Sequence, residues 1–141
     1  MNTEELTKAL KDVPGFKGVF ALNKLPKTNK ERPALYIANT HPSCKEGEHW
    51  VALYFPTNGT PEFFDSFGRK AFASELRRLL GPVYRHNILF LQSPTSDVCG
   101  HHVIFYARHR SQGIPFESIP YKTTLEDNDS MVRHYVTKLT I

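Results

Sequence analysis

An α+β domain with a mostly antiparallel central sheet is the fold class that this 141-residue sequence predicts. Three observations carry that prediction. Runs rich in aromatic and β-branched residues occur at 16–22, 34–39, 49–55 and 61–67, and Thr57-Asn58-Gly59-Thr60 joins the last two through a hairpin-type Asn-Gly. Apolar residues at helical spacing mark 2–13, 69–82 and 98–113, each ended by glycine or proline. The elements follow in the order helix, strands, helix, strand, helix, which separates sheet from helices rather than alternating them.

From the N-terminus, Asn2 and Glu5 have the spacing of a capping box, and Leu6, Leu10 and Val13 share one face until Pro14-Gly15 stops the helix. FKGVFAL (16–22) has strand character, and NKLPKTNKERP (23–33) has the composition of an exposed loop. ALYIAN, HWVALYF and PEFFDSF give three further strands, the last two paired as a hairpin. In 69–82, Phe72, Leu76, Leu79 and Leu80 form the apolar stripe of a helix whose arginines face outward and whose stop is Gly81-Pro82. NILFLQ (87–92) suits a short buried strand, and SPTSD (93–97) is turn chemistry. The next segment, VCGHHVIFYARHRSQG, places Cys99, Val103, Tyr106 and Ala107 on one stripe of a helix with a basic last turn. After a proline-bearing connection (114–129), Val132, Tyr135, Val136 and Leu139 predict a closing helix capped near Asn128 or Asp129.

The length fits one domain spanning 1–141, and the composition is that of an ordinary soluble globular protein, with 40% hydrophobic and 12% aromatic residues. No apolar run approaches transmembrane length. The acidic, amphipathic start lacks the basic and apolar regions of a secretory signal, so an intracellular, reducing location is expected. Two cysteines, Cys44 and Cys99, are too few for a disulfide framework. A formal charge of +4 and a pI near 9.1 permit weak attraction to DNA, but no dense basic run concentrates that charge.

Cys99 is the residue with the most chemistry in its surroundings. A cysteine at a helix N-terminus meets the positive end of the helix dipole, which favours thiolate over thiol, and Gly100 beside it leaves room for a substrate backbone. Such a nucleophile needs an imidazole to hold the opposite charge and later protonate the leaving group. His49, at the start of a strand, is the candidate. In an antiparallel hairpin around 57–60, positions whose numbers add to about 114 to 117 face one another, which brings Asp65 to the same end as His49. A carboxylate there can accept the imidazole N–H and fix its tautomer. Gln92 ends the run before the turn, where its carboxamide and the Cys99 amide can stabilise an oxyanion.

These blocks resemble the active-site segments of adenovirus-type cysteine proteases, the adenain group, whose wider relatives include SUMO-specific proteases. His49-Trp50, Phe64-Asp65-Ser66-Phe67-Gly68 and Gln92 through Cys99-Gly100 match position by position, within a resemblance that covers roughly 3–110. It implies a papain-like α+β fold and cysteine endopeptidase activity at Gly-containing sites, with Cys99 as nucleophile, His49 as base and acid, Asp65 as orienter and Gln92 as oxyanion donor. It also implies that Trp50 flanks the imidazole. Capsid precursors are the substrates, virion or host nucleus the location, and virion maturation the purpose that the resemblance suggests for a monomeric enzyme without a metal or other cofactor.

Two departures stand out. The acid is Asp65 where adenovirus enzymes typically carry Glu, a choice shared with the SUMO-protease branch. Adenovirus enzymes are also activated by a viral peptide, joined through a disulfide to a cysteine upstream of the Gln, and 77–91 contains none. DNA stimulation is compatible with the basic balance, and Cys44 is a spare thiol. Two other readings compete: a deconjugating protease for a ubiquitin-like modifier, which shares the Gly preference, and a catalytically idle nucleic-acid-binding module. A zinc site fits poorly, because His41, Cys44 and His49, or His101, His102 and His109, lack paired ligand spacing. His101 and His102 are expected at the helix surface or partly buried, outside the chemistry.

Overall fold

The structure, a computed structural model, describes residues 1–40 and 49–139. Five strands form one sheet in the order β1 (Phe16–Ala21), β2 (Ala34–Asn39), β3 (Trp50–Phe55), β4 (Glu62–Phe64) and β5 (Arg85–His86). Four α-helices cover it: α1 (Thr3–Leu10), α2 (Ser74–Leu80), α3 (Cys99–Ser111) and α4 (Leu125–Leu139). The α+β class holds, but the sheet is mixed rather than mostly antiparallel. The central pairs β2–β3 and β3–β4 are antiparallel, whereas the outer pairs β1–β2 and β4–β5 are parallel. The reason lies in the connections: the long 22–33 segment and the α2 crossover each return the chain to the end from which it came, as parallel pairing requires.

Alternation along the middle strands sorts the two cores. Leu35 and Ile37 of β2, with Trp50, Ala52 and Tyr54 of β3, face α1, α3 and α4. Ala34, Tyr36 and Ala38, with Val51, Leu53 and Phe55, face α2. Every residue of β3 is buried, as befits the centre of a sheet covered on both faces. The β3–β4 hairpin pairs Ala52 with Phe64, Leu53 with Phe63 and Tyr54 with Glu62, inside the register expected from the Asn-Gly turn. Phe64 then stacks on Tyr106 of α3 with ring centroids 4.5 Å apart, and full burial of such a side chain contributes about 1.5–3 kcal/mol. This contact seats α3 across the sheet. Nearby, Glu62 is buried but accepts hydrogen bonds from the Tyr106 hydroxyl (2.7 Å) and Arg110 Nε (2.8 Å), so its charge is compensated.

Other boundaries differ from expectation. Asn2 forms the anticipated capping box with Glu5, and α1 buries Leu6 and Leu10. The second helix is confined to Ser74–Leu80, and Phe72, outside it, is partly exposed beneath the Arg69 guanidinium. No strand forms over 87–92: pairing with β4 ends at His86, and Ile88, Leu89 and Phe90 are exposed. The cause is the turn after β4. Ser66 O accepts the N–H groups of Leu91 (2.8 Å) and Gln92 (3.2 Å), so this segment bonds to a turn instead of a strand. The closing helix begins at Leu125, capped by Thr124 Oγ1 on Asp127 N (3.1 Å), rather than near Asn128 or Asp129. Those two residues are buried inside it, with hydrogen bonds of their own.

Candidate active site

The end of β4, the start of β3 and the N-terminus of α3 converge on His49. This residue immediately precedes β3, and its backbone carbonyl accepts the Thr40 N–H (3.0 Å). Its Nε2 lies 2.8 Å from Asp65 Oδ1, and the same imidazole hydrogen-bonds with the Cys99 side chain. With Nε2 occupied by the carboxylate, Nδ1 is the nitrogen on offer to the thiol. The ring is held from one side by Phe67, stacked at 5.0 Å and 22°. Burial disfavours the imidazolium, but the hydrogen bonds to Asp65 and Cys99 and their charges outweigh it, so the His49 pKa rises from 6.5 to about 9.

Asp65 occupies the first position beyond β4 and is fully buried. Burial alone would raise its pKa. Instead the group is held below the usual carboxylate range, because His49, the Phe67 N–H (2.8 Å to Oδ1) and the Arg69 guanidinium (Nε 2.8 Å from Oδ2) favour the anion. The Asp65 backbone is fixed as well. Asn87 donates from Nδ2 to its carbonyl (2.6 Å) and accepts its N–H on Oδ1 (3.1 Å), extending the β4–β5 edge with a side chain. The turn closes at Gly68, whose φ is +75° and whose N–H reaches Asp65 O (2.7 Å). A Cβ there would lie 2.9 Å from the Leu89 backbone, so both conformation and space call for glycine.

Cys99 is the first residue of α3, buried at the helix end where the dipole is positive. Gln92, also buried, is oriented by two contacts: Oε1 accepts the Ser66 hydroxyl (2.5 Å), and Nε2 donates to Ser96 O (3.0 Å). A primary amide carries two N–H groups, so Nε2 has a second donor beyond the one used by Ser96. Trp50 and Gly100 turn to the protein rather than to an open groove. The Trp50 indole donates to Met1 O (3.1 Å), and a Cβ on Gly100 would meet Met1 at 3.1 Å and Trp50 at 3.4 Å. The room that Gly100 was expected to leave for a substrate backbone is taken by Met1.

A shallow cleft of about 520 Å³ opens at the His49 side of this constellation, lined by Thr40, His49, Phe67, Arg69, Phe90 and Pro94, while Asp65, Gln92 and Cys99 are buried behind it. A larger cavity of about 720 Å³ adjoins it across Phe90 and contains none of His49, Asp65, Gln92 or Cys99. His102, expected at the surface or partly buried, is fully buried, with Nε2 2.9 Å from Asp129 Oδ1. His41 and Cys44 lie outside the described residues; among the described ones no group of three His, Cys, Asp or Glu side chains comes together as metal ligands would. Nor is any described helix long and apolar enough to cross a membrane. Sequence reasoning missed Ser66, Phe67, Arg69 and Asn87. Ser66 and Phe67 lay inside the matched block without a role of their own and Arg69 lay four residues after Asp65, whereas the part played by Asn87 is defined only by the folded chain.

The fold is therefore α+β of the papain-like type, and in it a histidine joins a buried carboxylate to a cysteine at a helix N-terminus. Among solved structures, the chain is similar to the ASFV pS273R protease: 16% identity, 95% of this chain covered and a TM-score of 0.60. Its selenomethionine form aligns at 22% identity over 73% of this chain with a TM-score of 0.53. This chain spans 64% and 44% of the length of those two protease chains. The central domain of Lpg1148 from Legionella pneumophila is also similar, at 14% identity and a TM-score of 0.52, with 99% of this chain and 98% of that domain covered. No protein-family model matches the chain, and no curated protein does.

Proposed function

We propose that this chain is a cysteine endopeptidase in which Cys99, His49 and Asp65 form the triad and Gln92 supplies an oxyanion donor. One observation carries the reading: the His49 ring bonds at once to buried Asp65 and to Cys99 at the start of α3. A ring that stays protonated to about 9 can hold the proton released by the thiol, leaving a thiolate beside an imidazolium. The thiolate sulfur attacks the scissile carbonyl carbon, and the C=O electron pair moves onto oxygen. That oxyanion is met by the second Gln92 N–H and by the Cys99 amide in the first turn of α3. His49 then gives its proton to the departing amine as the C–N bond breaks. Water, deprotonated by the same ring, releases the acyl group from sulfur. Throughout, Asp65 holds the imidazole in one tautomer and offsets its charge, while Arg69 and Phe67 hold Asp65.

The likeness to the ASFV pS273R protease supports a protease, and the resemblance to the adenain group is what suggests virus-type maturation at Gly-containing sites, with capsid precursors as substrates. The test is a panel of fluorogenic Gly-containing peptides and ubiquitin-like conjugates, with and without DNA, compared between the intact chain and Cys99→Ala. Hydrolysis abolished by Cys99→Ala and by prior alkylation is the expected result. Hydrolysis that survives the substitution sinks the nucleophile assignment, and cleavage of conjugates alone selects the deconjugating enzyme.

A further inference from the structure

We propose that Asp129, on the closing helix, is a positioning residue for the reaction, tying the Gln92 side of the oxyanion site to the Cys99 side. This rests on the triad reading above. Asp129 is 3% exposed, and its carboxylate spans two elements. Oδ2 accepts the backbone N–H of Ser93 (3.2 Å), the residue after Gln92, and Oδ1 lies 2.9 Å from Nε2 of His102, three residues beyond Cys99 in α3. Burial lowers the His102 pKa, so the neutral ring donates from Nε2, while its Nδ1 is buried without a partner.

The segment between the two anchor points is a turn closed on itself. The N–H (3.1 Å) and hydroxyl (3.0 Å) of Ser96 both reach Ser93 O, and Ser96 O in turn holds the Gln92 carboxamide. Fixing Ser93 N therefore fixes the turn that aims Gln92, and fixing His102 ties that turn to the helix carrying the nucleophile. Ser66 holds Gln92 from the sheet side. Asp129 bonds to both the 93–96 turn and α3. It lies in a helix outside the 3–110 span of the sequence resemblance.

Two reagents separate alignment of the oxyanion donors from reactivity of the thiol. Acylation of Cys99 by p-nitrophenyl acetate passes through a tetrahedral oxyanion and releases p-nitrophenolate; alkylation by iodoacetamide does not form one. In the full chain, Asp129→Ala is expected to slow acylation at least tenfold while alkylation changes less than threefold. Asp129→Asn keeps one acceptor and is expected to slow acylation about threefold. Should Asp129→Ala fail to fold, by circular dichroism, Asp129→Asn alone decides. Unchanged acylation in the folded variants overturns the proposal, and so does a parallel fall in both rates, which marks a purely structural role. If neither reagent labels Cys99 in the unsubstituted chain faster than a free thiol, the triad reading fails, and the Asp129 proposal with it.

Discussion

Asp65→Asn isolates the charge of the carboxylate from its shape. Two donors, His49 and the Phe67 N–H, converge on Oδ1, whereas Oδ2 meets only the half-exposed Arg69. An asparagine therefore places its oxygen toward His49 and its amide toward Arg69, which can swing into water. The imidazole keeps its hydrogen bond and loses its counter-charge. Raising the His49 pKa from 6.5 to about 9 corresponds to about 3 kcal/mol, at about 1.4 kcal/mol per tenfold change in proton affinity, and is what remains of the Asp65 and Cys99 contributions after burial has opposed them. Removing the Asp65 charge is expected to lower the His49 midpoint by about one to two pH units, read from the imidazole C2 proton by NMR. The same shift has a stability counterpart. Because the folded pKa lies above the unfolded one, the contribution is complete below 6.5 and is lost as pH rises through about 9. Chemical denaturation of the unsubstituted protein should therefore show stability falling across that window by up to about 3 kcal/mol, and less in Asp65→Asn. A midpoint near 9 in both proteins would refute the argument that Asp65 holds the proton on His49.

Ser66→Ala leaves the buried Gln92 oxygen without its donor and is expected to cost about 1–3 kcal/mol in urea unfolding, with a slower acylation step; an unchanged urea midpoint would remove Ser66 from the support of Gln92. Gly68→Ala puts a Cβ 2.9 Å from the Leu89 backbone at a positive φ, so a loss of about 1–3 kcal/mol is expected, together with weaker His49 to Asp65 coupling in the same NMR titration. Wild-type stability there would show that the turn relaxes freely. Tyr106→Phe removes one of the donors to Glu62 while Arg110 remains, for which a lower thermal midpoint and about 1.5–3 kcal/mol are expected, with the rate of Cys99 alkylation preserved. A change in alkylation rate would tie that buried cluster to the surroundings of Cys99.

Much of this arrangement was legible before folding because it is local. The Asn2 capping box, the stripe Cys99, Val103, Tyr106 and Ala107, and the Asn-Gly hairpin depend on spacing within one or two elements, and spacing is written in the chain. His49 and Asp65 could be paired in advance for the same reason, since hairpin register follows from its turn. The 87–92 segment defeated the same logic. An apolar run can be a buried strand or an exposed ridge, and the choice fell to where its N–H groups found acceptors, which was Ser66 O in a turn. Strand direction at the sheet edges likewise depended on the crossovers.

By itself, then, the sequence determined the fold class, the helix that carries Cys99 and the hairpin end shared by His49 and Asp65. Tertiary structure decided what surrounds them. It filled the space beside Gly100 with Met1, set Arg69 and Asn87 around Asp65, and buried His102 against Asp129. The physical reason is range: caps, stripes and hairpins are fixed by neighbours a few residues apart, whereas the partner of a buried polar group is whichever distant segment the packed core brings within hydrogen-bonding reach.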